Sequence, residues 1–163
     1  VHREPLREVA LQTTLKGVVD VLYDLFAHYS WVGIYVLERQ QLVLHAWRGP
    51  QATEHLRIPI TEGICGSAAR SGRTEIVGDV SVDKRYLVCF PSTRSEIVVP
   101  VKKEGRVVGE IDIDSDQKSA FGERDRTFLE RVAGILADRW QDLTLSSHAR
   151  EEGGHDESHR QMG

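Results

Sequence analysis

SEIVVPVKKEGRVVGEIDIDS, residues 95–115, reads as a β-hairpin. Its β-branched runs predict strands at 95–102 and 106–114, joined by a turn at Glu104-Gly105. The second strand alternates. Val107, Gly109, Ile111 and Ile113 share one face, and Val108, Glu110, Asp112 and Asp114 share the other. A strand with one apolar face belongs to a sheet covered by helices on that side. Its carboxylate face is either ordinary solvent surface or the wall of a pocket. In a pocket the converging acids, with Glu96 near the start of the first strand, would attract a cation.

The flanking segments supply the rest of the sheet. WVGIYVLE (31–38) and LVLHAWRG (42–49) predict a second hairpin. LRIPI (56–60) predicts a short edge strand, because Pro59 cannot donate to a ladder. TEGICGSAARSG (61–72) predicts a short helix between glycines, and TEIVGDV (74–80) a further strand. SVDKRYLVCFPSTR (81–94) is a long connection with a helical turn expected around Asp83–Leu87.

Helices are expected at both ends. The first runs from about Glu4 to Tyr29, with Pro5 in its first turn and an apolar stripe through Leu6, Val9, Val19, Leu22 and Leu25. Gly17 marks a bend or a close packing there. The last runs over 120–148, with Phe121, Phe128, Leu129, Val132, Ile135 and Leu136 as its stripe. The fold class is therefore α+β: an antiparallel sheet, terminal helices on one face, and long loops over a ligand pocket on the other. One domain is expected over 1–147. Residues 148–163, polar and nearly free of apolar side chains, are expected to be a disordered tail.

Composition narrows the function. With 21 basic and 25 acidic residues the net charge is −4, which argues against gripping a phosphate backbone. No apolar stretch reaches the roughly 20 residues that span a bilayer. Two cysteines are too few for a disulfide scaffold and fit reduced thiols in a cytoplasmic protein. Gly63, Gly66, Gly72 and Gly78 do not follow nucleotide-binding spacings, so no cofactor is expected. No metal is expected either. The D-x-D-x-D run at 112–116 lacks calcium-loop spacing, and His155 and His159 lie in the polar tail.

Four further residues have two readings each. Cys65, at the start of the short helix, and Cys89, in the long connection, are inert buried thiols or chemistry. Trp31 and Tyr35 share one strand face and are either core or the aromatic wall of a pocket.

Taken together, WVGIYVL, RIPITEGICGSAARSG, TEIVGDV, SEIVVPV and GRVVGEIDIDS with AFGERD resemble the GAF-domain free methionine-(R)-sulfoxide reductases, over roughly residues 6–140. The resemblance implies a six-stranded sheet and thiol-dependent reduction of free L-methionine (R)-S-oxide through a cysteine sulfenic acid. It implies Cys89 as nucleophile and Cys65 as the thiol of disulfide recycling. Glu96, Asp112 and Asp114 become the acids that bind the substrate ammonium and assist the chemistry. Trp31 and Tyr35 become the wall around the methyl–sulfur end. The implied partners are free methionine sulfoxide and a thioredoxin-like or small-thiol reductant, and a homodimer is compatible with the pattern. The sequence departs from the family twice: His55 stands where a third cysteine usually resolves the sulfenic acid, and Phe90 follows Cys89 where Asp is usual. The alternative is a noncatalytic GAF module sensing a small amino-acid-like ligand, which needs the pocket but not the thiols.

Overall fold

The computed structural model describes residues 3–144. In chain order the elements are α1 (Arg3–Leu25), β1 (Trp31–Glu38), β2 (Gln41–Arg48), β3 (Arg57–Pro59), α2 (Gly63–Ser71), β4 (Glu75–Val77), β5 (Ser95–Lys103), β6 (Arg106–Ser115) and α3 (Glu123–Thr144). A single 3₁₀ turn, Val80–Val82, lies just before the position expected from the sequence. The domain boundary at 147 and the tail expected beyond it lie outside the described residues.

The six strands form one antiparallel sheet in the order β3-β2-β1-β6-β5-β4. The β1–β2 and β5–β6 hairpins meet through the central β1–β6 pair, where Gly33 faces Asp112 and Tyr35 faces Glu110. Alternation then sorts the side chains. Val32, Ile34, Ile97, Val99, Ile111 and Ile113 build the main core with α1 and α3. Trp31, Tyr35 and Val98 point the other way, into a second cluster with α2 and the 78–94 connection.

Several expectations shift. In α3, Phe128 and Ile135 of the expected stripe are exposed, while Leu129 and Leu136 are buried. The buried stripe of α1 is Leu11, Leu15, Val19 and Leu22, whereas Leu6, Val9 and Leu25 are exposed. Burying each side chain of that stripe stabilises by roughly 1.5–3 kcal/mol. In β6, Val108 packs with the helix-side core rather than beside Glu110, because the ladder shifts register between Val101 and Lys102. The shift is confined to the hairpin end, so Glu110, Asp112 and Asp114 keep the common face that alternation assigns them.

Gly17 neither bends nor packs. The helix runs through it, and a Cβ added there meets nothing within 4 Å. Gly17→Ala is therefore expected to stabilise the fold by about 0.5–1 kcal/mol, since alanine loses less backbone freedom on entering a helix. A urea midpoint unchanged or lowered by the substitution would show a role for the glycine.

The start of α3 is tied to the end of α1 by Asp125. Its carboxylate accepts from the Tyr29 hydroxyl at 2.8 Å and from the Gly122 amide at 2.9 Å, and it lies 2.9 Å from His28 Nε2. Phe26, Tyr29, Phe121 and Phe128 pack around this junction.

Candidate active site

Adjacent strands β5 and β6 carry four acids to the α2 side of the sheet: Glu96, Glu110, Asp112 and Asp114. None is more than 3 % exposed. Register pairs Glu96 with Asp114 across the two strands and sets Asp112 opposite Val98. Both oxygens of Glu110 and of Asp114, Oε2 of Glu96 and Oδ1 of Asp112 are buried without a hydrogen-bond partner. So many buried carboxyl oxygens are costly unless water or a ligand completes them.

Two thiols share the chamber. Helix α2 crosses above the acids and presents Cys65, fully enclosed, with Sγ 3.9 Å from Glu96 Oε1. Glu110 faces the same sulfur, and each group perturbs the other's protonation. Cys89 is half-buried in the 78–94 connection and packs against the cluster that contains Cys65.

That connection is fastened at several points. Arg85 joins Glu75 of β4 at 3.1 Å, Asp83 at 2.8 Å and the Ser67 hydroxyl of α2 at 2.9 Å. The His55 ring nitrogen Nε2 lies 3.0 Å from the Val88 carbonyl, beside Cys89. The His55 carbonyl in turn accepts from the Tyr35 hydroxyl at 3.0 Å. Phe90 is buried against the Trp31 indole, ring centroids 5.6 Å apart. Both departures from the family pattern are thus built into the architecture: His55 staples the Cys89 segment, and Phe90 closes the chamber. Gly33 makes the matching space below. A Cβ there would lie 2.3 Å from the Trp31 ring, so only glycine lets the indole lie flat over β1.

The electrostatics follow from burial. Desolvation pushes Glu96, Glu110 and Asp114 well above the ordinary carboxyl range, with the Asp112 charge adding to each. Asp112 is raised as well, again by desolvation, partly offset by contacts with Glu96 and Cys65 and by the charge of His55. Burial followed by the Asp112 and Asp114 charges pushes the Cys89 thiol up, and burial followed by Asp112 does the same to Cys65. Burial thus favours the protonated carboxyls and the neutral thiols. A cation entering the chamber would reverse both effects.

The structure brings together every candidate read from the sequence: Cys65, Cys89, Glu96, Asp112 and Asp114, with Trp31 and Tyr35 as walls. It adds Glu110, whose face the alternation had already assigned. It also adds Tyr86, whose buried hydroxyl lacks a partner and feels the charges of Asp114, Cys89 and Glu96. No motif marks Tyr86; only the path of the connection brings it in. Among the described residues no helix is long and apolar enough to cross a membrane.

The fold has known relatives. The GAF domain family model matches residues 7–140. The chain is 36% identical over 118 residues to Protein YtsP of Bacillus subtilis, covering 71% of each. It is 31% identical over 129 residues to the free methionine-R-sulfoxide reductase of Escherichia coli, covering 79% of this chain and 77% of that one. The solved structure of a type II free methionine-R-sulfoxide reductase from Thermoplasma acidophilum superposes with a TM-score of 0.81 at 37% identity, covering 84% of this chain and 96% of that one. The chain belongs to the GAF domain family, with free methionine-R-sulfoxide reductases among its relatives.

Proposed function

We propose that this protein reduces free L-methionine (R)-S-oxide to methionine. The observation that carries the reading is the pairing of two thiols with four buried, incompletely bonded carboxyls in one chamber. A free amino acid brings an ammonium group, which a residue inside a peptide lacks. That cation would ionise the acids beside it, leave a more distant carboxyl protonated, and by its charge favour the Cys89 thiolate, so the nucleophile is activated by the substrate itself.

Cys89 then attacks the sulfoxide sulfur while a protonated carboxyl gives its proton to the oxygen. Methionine leaves, and the oxygen stays on Cys89 as a sulfenic acid. The Cys65 thiol condenses with it, forming the Cys65–Cys89 disulfide and releasing water. A dithiol of the thioredoxin type, or two small thiols, reduces the disulfide by exchange. The substrate carboxylate is held by the first-turn amides of α2, Ile64 and Cys65, for which a helix supplies no internal acceptor. The Gly66 and Tyr86 amides are already taken, by Glu62 and Asp83. A homodimer is proposed through the exposed apolar residues of α1, and the cytoplasm as the compartment that keeps both thiols reduced.

Incubation with both free epimers and dithiothreitol, followed by chiral amino-acid analysis, tests this. Selective loss of the R epimer is expected. No loss of either epimer would end the reading, and equal activity on a peptide-bound sulfoxide would end the ammonium argument.

A further inference from the structure

We propose that Cys65, Glu96 and Asp112 form a binding site for a thiophilic divalent cation such as Zn²⁺, which occupies the chamber in competition with an ammonium group. One sulfur and two oxygens, from α2, β5 and β6, lie within 4.8 Å of one another, and all three residues are at most 5 % exposed. Zinc bonds of about 2.3 Å to sulfur and about 2.1 Å to oxygen bridge the 3.9 Å between Cys65 Sγ and Glu96 Oε1 at a somewhat opened tetrahedral angle. A soft sulfur beside two carboxylates suits zinc better than calcium or magnesium, which take all-oxygen shells.

The surroundings point to a cation independently of those three ligands. Asp114, paired across the strands with Glu96, and Glu110, facing Cys65, are both more than nine-tenths buried, and neither carboxyl has a hydrogen-bond partner. The ligands bind as a thiolate and two carboxylates, and their protons pass to solvent. The bound ion holds Cys65 and fills the ammonium position, so it acts as a reversible block rather than as a cofactor. The carboxylate face was legible as a place for a cation, but not Cys65 beside Glu96 and Asp112, because the three ligands lie on separate segments.

The site does not depend on the proposed activity. Reduced, chelator-stripped protein is titrated with Co²⁺ and followed by near-ultraviolet absorption for a thiolate-to-cobalt charge-transfer band. The expected result is a band that saturates at one equivalent, is displaced by Zn²⁺, and weakens on adding free methionine. Cys65→Ser should abolish the band and Cys89→Ser should keep it. Asp112→Asn should weaken cobalt binding by roughly 100-fold or more, since even loss of an outer partner costs 10–100-fold. No thiolate band, or a band unchanged in Cys65→Ser, overturns the site; indifference to methionine overturns the competition. A clear band in a protein that consumes no sulfoxide keeps the site and removes the reductase reading.

Discussion

Cys89→Ser is expected to lose sulfoxide reduction by at least ~1000-fold, even in a single turnover. Serine keeps the size of the side chain, so the packing against Phe90 and the fastening of the connection should survive. What disappears is the sulfur that accepts oxygen. Cys65 cannot take over, since it is enclosed beneath α2 and directed at Glu96 and Glu110. Cys65→Ser should behave differently. The first turnover should remain, and later ones should depend on how readily an external thiol reaches Cys89. Mass spectrometry after stoichiometric sulfoxide, without reductant, separates the steps. A two-dalton loss mapped to Cys65–Cys89 is expected in the unmodified chain and a persistent sulfenic acid on Cys89 in Cys65→Ser. Oxidation confined to Cys65 would overturn both assignments.

The second large effect is on stability. Glu96, Glu110, Asp112 and Asp114 all have folded pKa values above those of the unfolded chain, chiefly through burial. Above the ordinary carboxyl range the native state therefore holds protons that the unfolded state has released. Stability then falls as pH rises, by up to about 1.4 kcal/mol per pH unit for each proton retained. Asp79 works in the opposite sense at low pH. Bonds from Ser81 and then Lys118 hold it at about 2, so its contribution is lost only in strong acid. The ligand-free protein should have its highest urea midpoint in mildly acidic buffer and a steadily lower one from about pH 5 to about pH 8. Asp114→Asn should flatten that slope and be the more stable protein at the alkaline end. A flat profile in the unmodified chain would mean that the four acids are solvated.

Much of this site was legible in the sequence because a strand's period of two needs no knowledge of distant residues. GEIDIDS places its three acids on one face by counting, and WVGIY does the same for Trp31 and Tyr35. The α1 stripe was harder. Leu6, Val9 and Leu25 compete with Leu11 and Leu15, and the helix has apolar residues on more than one side. Only the sheet beneath decides which of them is buried. Val108 was misplaced because a one-residue register shift leaves no mark in composition. The positions of Cys65, Tyr86 and Phe90 relative to the acids depend on how two connections cross the sheet, which no local pattern encodes.

The acids and the thiols belong to parts of the fold with different sequence separation. The acids sit on one hairpin, β5–β6, whose strands are adjacent in the chain and both interior to the sheet. The thiols sit on two segments that flank the edge strand β4, Cys65 on α2 before it and Cys89 on the 78–94 connection after it. Edge strands of three residues release cheaply, whereas the central ladder opens only with the whole domain. Native-state amide exchange should therefore find slow protons around Asp112 and much faster ones around Cys65 and Cys89. Alkylation of the thiols in the folded protein would then report partial openings of the two segments around the β4 edge, and its rate would remain finite in buffers where global unfolding is negligible.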